Sequence, residues 1–544
     1  MPDEPSWPTV DDDVDEVVDQ EPSTVQVTRP RTPQPPPVRA RPADPPTMRI
    51  PITRLGPEPV AVERVPEPED HADLQRVEPD EPGRRRRKPL LLVGSLIAVV
   101  ALAAAAIFAA STHGWFTTTP TAITQAPPEP ASVTPVVRAV GEDAPVPSAQ
   151  GVKAALAGPA ANGLLGTLTG AVVDPATGTV LWQQADTTPL TPASTLKILT
   201  SAAALLALEH TDQLSTKVVA GPQPGTVVLV GGGDPTLSSL PAGTNTVYPG
   251  AATLDDLVAQ VKANSGGTPV TQVIFDVSRY SGDVMAPGWE PSDVQLGSIA
   301  PIVPVMMDGG RQKQTDPDSP RTGSPAQAVA GEFARRLGVS AVSQGSAPAN
   351  GKVLGEVKSA PVEQLVDNLL QISDNVLAEA MARQIAEVSG GEASFAGGVK
   401  AVRDVLTKNG FDLTGAELAD GSGLSTADKI PARLLAQILS VAAKPDSSDP
   451  RTAKLRPLLT GIPVAGGSGT LAARYGNGPS AAGKGWVRAK TGTLTNVNSL
   501  AGVVVDRAGR VLVFAFMSNS PQNMDAVREA LDTLATTLRG CGCS

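Results

Sequence analysis

The sequence predicts an α+β fold, in which an antiparallel sheet flanked by helices carries an inserted β-rich domain. Three observations support this: a strand hairpin followed at once by a helix, three strand-like runs closed by a terminal helix, and a long change of texture between the two. At 544 residues the chain exceeds what one hydrophobic core supports, and its 53 prolines and 52 glycines are too many for uniformly dense secondary structure. Part of it is therefore expected to lie outside the folded units.

Residues 1–88 are rich in Pro and mixed charge, and the first 21 contain several Asp and Glu but no Lys or Arg. Such a segment buries too little apolar surface to offset its ordering entropy, so a disordered acidic tail is expected. Residues 89–111 are expected to form a transmembrane helix. Leu90 to Ala110 carry no charge and match the roughly 20 residues needed to cross a hydrocarbon core. Arg84 to Lys88 precede this stretch and no base follows until Arg138, which places the N-terminus in the cytoplasm and the rest outside. Residues 112–149, rich in Pro, Thr, Ala and Val, suit an extracytoplasmic linker.

The folded part is expected from about Gln150. GTLTGAVVD and GTVLWQQ flank the turn signal Asp174-Pro175-Ala176-Thr177-Gly178 and read as a hairpin. Thr191-Pro192-Ala193-Ser194 marks a helix start, and the apolar and small residues from Leu196 to Leu208 contain no breaker. From 216 to 345, short β runs such as TVVLVGGGDPT and TQVIFDVSRYS are interrupted by Gly and Pro, which defines the inserted domain. GWVRAKTG, NSLAGVVVDRAGR and VLVFAFMSNS then give three strands, and a helix from about Pro521 to Leu538 closes the main domain, 150–215 plus 346–540.

Composition excludes several kinds of chemistry. The net charge of -11, with its one dense basic run beside the apolar stretch, argues against a nucleic-acid partner. Cys541 and Cys543 sit in a Cys-Gly-Cys tail, so no internal disulfide framework, Cys-rich zinc site or buried Cys nucleophile is available. The three histidines are His71, His113 and His210, and no carboxylate has ligand spacing with histidine or cysteine; no metal or other cofactor is expected.

Three short motifs carry the candidate chemistry. Ser194-Thr195-Leu196-Lys197 places a hydroxyl and an amine three residues apart at a helix start, on one face and within mutual reach. Serine is a weak nucleophile without a base beside it, and lysine serves as one when desolvation lowers its pKa. Ser373-Asp374-Asn375 sits at a break between two helical segments, where Ser373 is a candidate proton relay and Asn375 a partner for substrate or Lys197. Lys490-Thr491-Gly492-Thr493 lies on a strand, where the backbone can meet an extended peptide and the cation a carboxylate. Ser-x-x-Lys, Ser-x-Asn and Lys-Thr-Gly each occur once, in this order. His210 lies sixteen residues after Ser194, about 24 Å along a continuous helix, too far to be its base.

With these motifs the chain resembles the class C low-molecular-mass penicillin-binding proteins, the D-alanyl-D-alanine carboxypeptidase and endopeptidase family, over roughly residues 150 to 538. Further family-like stretches are Gly231 to Thr236, Met306 to Arg311, Asp420 to Ser425 and Gly469 to Leu471. The resemblance implies a penicillin-binding-protein/β-lactamase-like transpeptidase fold and a large insertion between the first two motifs, for which 175 residues separate Lys197 from Ser373. It implies attack by Ser194 on the bond between two terminal D-alanines of peptidoglycan stem peptides, with Lys197 as base. Ser373 and Asn375 would assist, and Lys490, Thr491, Gly492 and Thr493 would hold the substrate. β-Lactams would acylate the same serine. No Glu-x-x-Leu-Asn segment of the kind that activates water in class A β-lactamases is present, which favours a peptidase. Membrane attachment through 90–110 would leave the tail free for a cytoplasmic partner.

Overall fold

The computed structural model describes residues 144–446 and 448–541. The expected tail and transmembrane helix, most of the linker, and Cys543 lie outside the described residues. Among the described residues no helix is long and apolar enough to cross a membrane.

The chain begins with α1 (Ala149–Ala160), the hairpin β1 (Thr167–Asp174) and β2 (Thr179–Gln184), the short β3 (Pro189–Leu190) and α2 (Lys197–Ala207). Next come β4 (Gln213–Ala220), β5 (Thr226–Gly231), α3 (Leu254–Asn264), β6 (Gln272–Asp276), α4 (Pro325–Leu337), β7 (Val342–Gln344) and β8 (Val353–Pro361). Then follow α5 (Val362–Gln371), α6 (Asn375–Val388), α7 (Phe395–Lys408), β9 (Ile430–Pro431) and α8 (Ala432–Ala443). The chain closes with β10 (Val487–Leu494), β11 (Val497–Val505), β12 (Val511–Asn519) and α9 (Met524–Gly540).

The first sheet has the order β10-β11-β12-β1-β2, antiparallel throughout, so the N-terminal hairpin completes a sheet begun by the C-terminal strands. The turn between β1 and β2 follows from its residues. Asp174 accepts from the Ala176 N–H and the Thr177 hydroxyl, and Gly178 takes the positive φ of 74° that closes the loop. Strand alternation divides the core in two. Val513, Ala515 and Met517 of β12 face the cluster built with α2, α5, α6 and α8, while Leu512, Phe514 and Phe516 face the cluster built with α1 and α9. Helices thus cover both faces. Cys541, just past α9, is buried in the second cluster and is disulfide-bonded.

The second sheet, in order β7-β6-β5-β4-β8, has a core of its own with α3 and α4. β5, β6 and β7 run parallel, and β4 pairs antiparallel with β5 and β8. The inserted unit is therefore mixed α/β, and its strands span 213–361, wider than 216–345. β8 is an edge strand that runs directly into α5, so its residues merge with a helical pattern in the sequence. The insertion also packs on the main domain: Trp289, Ile299, Ile302 and Met306 form one apolar cluster with Val376 of α6 and Phe395 of α7. The rings of Trp289 and Phe395 meet edge-on at 5.1 Å.

Candidate active site

Ser194 lies in a 3₁₀ turn, Ala193–Leu196, that feeds α2. The α-helix proper starts at Lys197 and ends at Ala207. Ala193 enters the turn at φ 48°, a conformation non-glycine residues avoid. The turn is held from the sheet: Thr195 Oγ1 and Ser499 Oγ both donate to the Pro192 carbonyl, at 2.8 and 2.6 Å. β10 comes close as well, since a Cβ at Gly492 would overlap Ser499 Oγ and the Pro192 carbonyl. Glycine in the third motif lets the strand approach the serine turn.

Lys197 is completely buried. Its Nζ donates to Ser194 Oγ at 3.0 Å, to Asn375 Oδ1 at 2.5 Å and to the Ser422 carbonyl at 2.6 Å. Burial lowers its pKa to about 8, against the pull of Asp420, Asp374 and Glu379, which favour the charged form. An amine so placed gives up its proton more readily than an ordinary lysine and sits within reach of the serine hydroxyl.

Ser373 and Asn375 owe their positions to two helix ends meeting. α5 ends at Gln371 with Ile372 as its C-cap, and the Asp374 N–H bonds back to the Leu369 carbonyl, a closure that places the intervening Ser373 in the left-handed region. That residue is usually glycine; here it is Ser373, at φ 58°. Asp374 then caps α6, its Oδ1 accepting from the Leu377 N–H at 2.9 Å. Asn375, the first residue of α6, donates from Nδ2 to the Ser298 carbonyl of the insertion at 2.9 Å, which turns its Oδ1 toward Lys197.

Lys490 Nζ donates to Ser373 Oγ at 2.8 Å and to the Thr491 carbonyl at 2.9 Å. Lys490 is fully buried, and desolvation together with the charge of Lys197 depresses its pKa well below the usual lysine value. β10 is the edge of its sheet. The Ala489 N–H points away from β11, to the Pro463 carbonyl, so strand alternation turns the N–H groups of Thr491 and Thr493 to the same open side. Thr491 Oγ1 shares a hydrogen bond of 2.8 Å with Thr470 Oγ1.

The eight residues expected from the sequence therefore lie where α2, the α5–α6 junction and β10 meet. His210 stands apart, its ring against the Leu205 carbonyl and Glu363. Among the described residues no group of three or more His, Cys, Asp or Glu could hold a metal ion. Sequence reasoning missed the Ser422 carbonyl, because a main-chain acceptor leaves no residue signature. It also missed Ser298, Tyr248, Arg311 and Arg321, which reach the second motif from the insertion. Of these groups, Arg311 and Ser422 lie within the family-like stretches Met306 to Arg311 and Asp420 to Ser425. Asp420 shapes the latter loop, its carboxylate accepting from the N–H groups of Ser422, Gly423 and Ser425 and from Trp289 Nε1.

Comparison with known proteins bears on the family and the fold. The D-Ala-D-Ala carboxypeptidase 3 (S13) family matches residues 150–333 and 311–538. A carboxypeptidase of Mycobacterium tuberculosis is 48% identical over 423 residues, covering 77% of this chain and 90% of that protein. The carboxypeptidase DacB of Mycolicibacterium smegmatis is 46% identical over 427 residues, 78% of this chain and 91% of its own. Penicillin binding protein 4 of Haemophilus influenzae superposes with a TM-score of 0.56 at 22% identity, covering 68% of this chain and 95% of that one, which shows that the two share a fold. The chain belongs to the D-Ala-D-Ala carboxypeptidase 3 (S13) family of serine peptidases.

Proposed function

We propose that this serine-type D-Ala-D-Ala carboxypeptidase works through an acyl-enzyme on Ser194, formed with peptidoglycan stem peptides and, as inhibitors, with β-lactams. The observation that carries the mechanism is the buried Lys197, with its Nζ 3.0 Å from Ser194 Oγ and 2.5 Å from Asn375 Oδ1. Neutral Lys197 takes the Ser194 proton as Oγ attacks the carbonyl between the two D-alanines. The Ser194 N–H and the outward Thr493 N–H stabilise the oxyanion. Ser373, hydrogen-bonded from Lys490, passes a proton to the departing D-alanine amine, and Thr491 and Thr493 with Lys490 hold the terminal carboxylate. Water then hydrolyses the ester. The open edge of β10 suits an extended peptide laid alongside as an added strand, and cleavage of cross-linked peptides would use the same acyl-enzyme.

We further place the catalytic domain outside the membrane, anchored through residues 90–110 with an acidic cytoplasmic tail of residues 1–88 open to a partner there; the support is the uncharged span and the basic run before it. Protease treatment of intact cells should remove the catalytic domain and leave the tail protected.

The deciding experiment is to incubate the full chain and its Ser194→Ala variant with a fluorescent penicillin and locate the label by peptide mass spectrometry. Stable label on Ser194, absent from the variant, is expected, together with release of D-alanine from a pentapeptide substrate. Folded protein that neither takes label nor consumes the penicillin would overturn the reading.

A further inference from the structure

The inserted unit sends a buried ionic cluster into the second motif. Arg311 and Arg321 face each other across an isolated antiparallel bridge, which projects both side chains from one face. Their guanidinium groups converge on Asp374 Oδ2, at 2.6 Å from Arg311 and 3.3 Å from Arg321. The Tyr248 hydroxyl donates to the same oxygen at 2.9 Å and accepts from Arg311 Nη1 at 2.7 Å. Arg321 is fixed in turn by the Gly297 and Gly309 carbonyls. Arg311, Arg321, Tyr248 and Asp374 are all buried, with Asp374 only 2% exposed. Gly309 has φ 61°, and a Cβ there would overlap the Tyr248 hydroxyl, so the Asp308-Gly309-Gly310-Arg311 turn wraps closely around the cluster.

Two buried guanidinium groups side by side require a buried anion, and removing either partner leaves the other uncompensated. The anion chosen lies between the two functional residues of the second motif. Asp374 Oδ1 caps α6 while Oδ2 takes the arginines, so the carboxylate is held from both sides. It therefore sets the strained backbone at Ser373 on one side and the start of α6, with Asn375, on the other. The Ser298 carbonyl, also from the insertion, orients the Asn375 amide.

We infer that the insertion is a positioning device for catalysis: Arg311, Arg321 and Tyr248 hold Asp374 so that Ser373 meets Lys490 and Asn375 meets Lys197. The inference rests on the acyl-transfer reading above and adds the residues that keep its second motif in register. None of the three touches substrate; each acts through Asp374.

The test measures kcat and KM on a D-Ala-D-Ala-terminated peptide, and the rate of Ser194 labelling by fluorescent penicillin, in the full chain carrying Arg311→Ala or Tyr248→Phe. For Arg311→Ala, kcat should fall on the order of 100-fold with KM changed less than about threefold, because a displacement of about 1 Å disables the chemistry before it disables binding. Millimolar guanidinium should restore part of that rate, and should not restore Ser373→Ala. Tyr248→Phe keeps the charges paired, so it tests the idea even if Arg311→Ala does not fold; about fivefold loss in kcat at unchanged KM is expected for one buried hydrogen bond. Wild-type kcat in Tyr248→Phe, with Arg311→Ala either equally active or inactive and unresponsive to guanidinium, would overturn the positioning role. Absence of label in the wild-type chain would instead sink the acyl-transfer reading, so the two failures are distinguishable.

Discussion

Lys490 Nζ donates to Ser373 Oγ at 2.8 Å, joining the third motif to the second across 117 residues of sequence. The hydroxyl it holds belongs to a residue in a left-handed conformation, at φ 58°. Glycine would be the less strained choice at that helix end, so the side chain is retained there against the preference of the backbone.

Ser373→Gly and Ser373→Ala should separate strain from chemistry. Both lose the hydroxyl, and both should lower kcat on the order of 100-fold if Ser373 relays the proton to the leaving amine. Thermal unfolding should show the glycine variant to be more stable than the alanine variant by ~1 kcal/mol, because only alanine retains the left-handed penalty. Equal stability would mean that the backbone relaxes when the hydroxyl is gone.

The rate of acylation should follow the protonation of Lys197. Its neutral form is the base and burial brings its pKa to about 8, so labelling should rise with pH below that value and level off above it. Lys197→Arg keeps a charge and cannot act as a base near neutrality; stopped-flow labelling should show a loss on the order of 1,000-fold. A flat profile in the wild-type chain would remove Lys197 from the proton transfer.

Gly492→Ala should damage stability and chemistry together. The new methyl overlaps Ser499 Oγ and the Pro192 carbonyl, so β10 must move away from the Ser194 turn. Denaturant titration should show a loss of roughly 2 kcal/mol, and labelling of Ser194 should slow because Thr493 moves with the strand.

Asp428, beneath the Asp420 loop, should show its effect in the pH dependence of stability. Burial first, and then the neighbouring Asp420, raise its pKa to about 9. A carboxyl raised in the folded state has its stabilising contribution intact below the ordinary pKa of about 4, and loses it as pH rises toward the folded value. Asp428→Asn retains an acceptor for the Ala419 N–H, which Asp428 Oδ1 now serves at 2.7 Å. The variant should match wild type near pH 4 and exceed it by about 5 kcal/mol at most at pH 8, read from thermal melts across that range.

The sequence by itself determined the parts that depend on local pattern. The hairpin at β1 and β2 follows from an Asp-Pro-x-x-Gly turn between two β-like runs, and β10 to β12 from strand-like runs whose residues divide between two cores. The eight site residues were legible because each motif's residue types have a chemical reason to be adjacent. What only the tertiary structure decided was non-local or without side-chain identity. β8 needed its pairing with β4 to be told from the start of α5, and β5 to β7 needed two intervening helices before their parallel order existed. The third acceptor of Lys197 is a peptide carbonyl at Ser422, which any residue would supply. Nothing in the sequence pairs Arg311 and Arg321 with Asp374, 63 and 53 residues further along the chain; the fold buries both against it. A charge in a linear sequence carries no record of its burial; packing decides that, and burial turned these charges into a clamp.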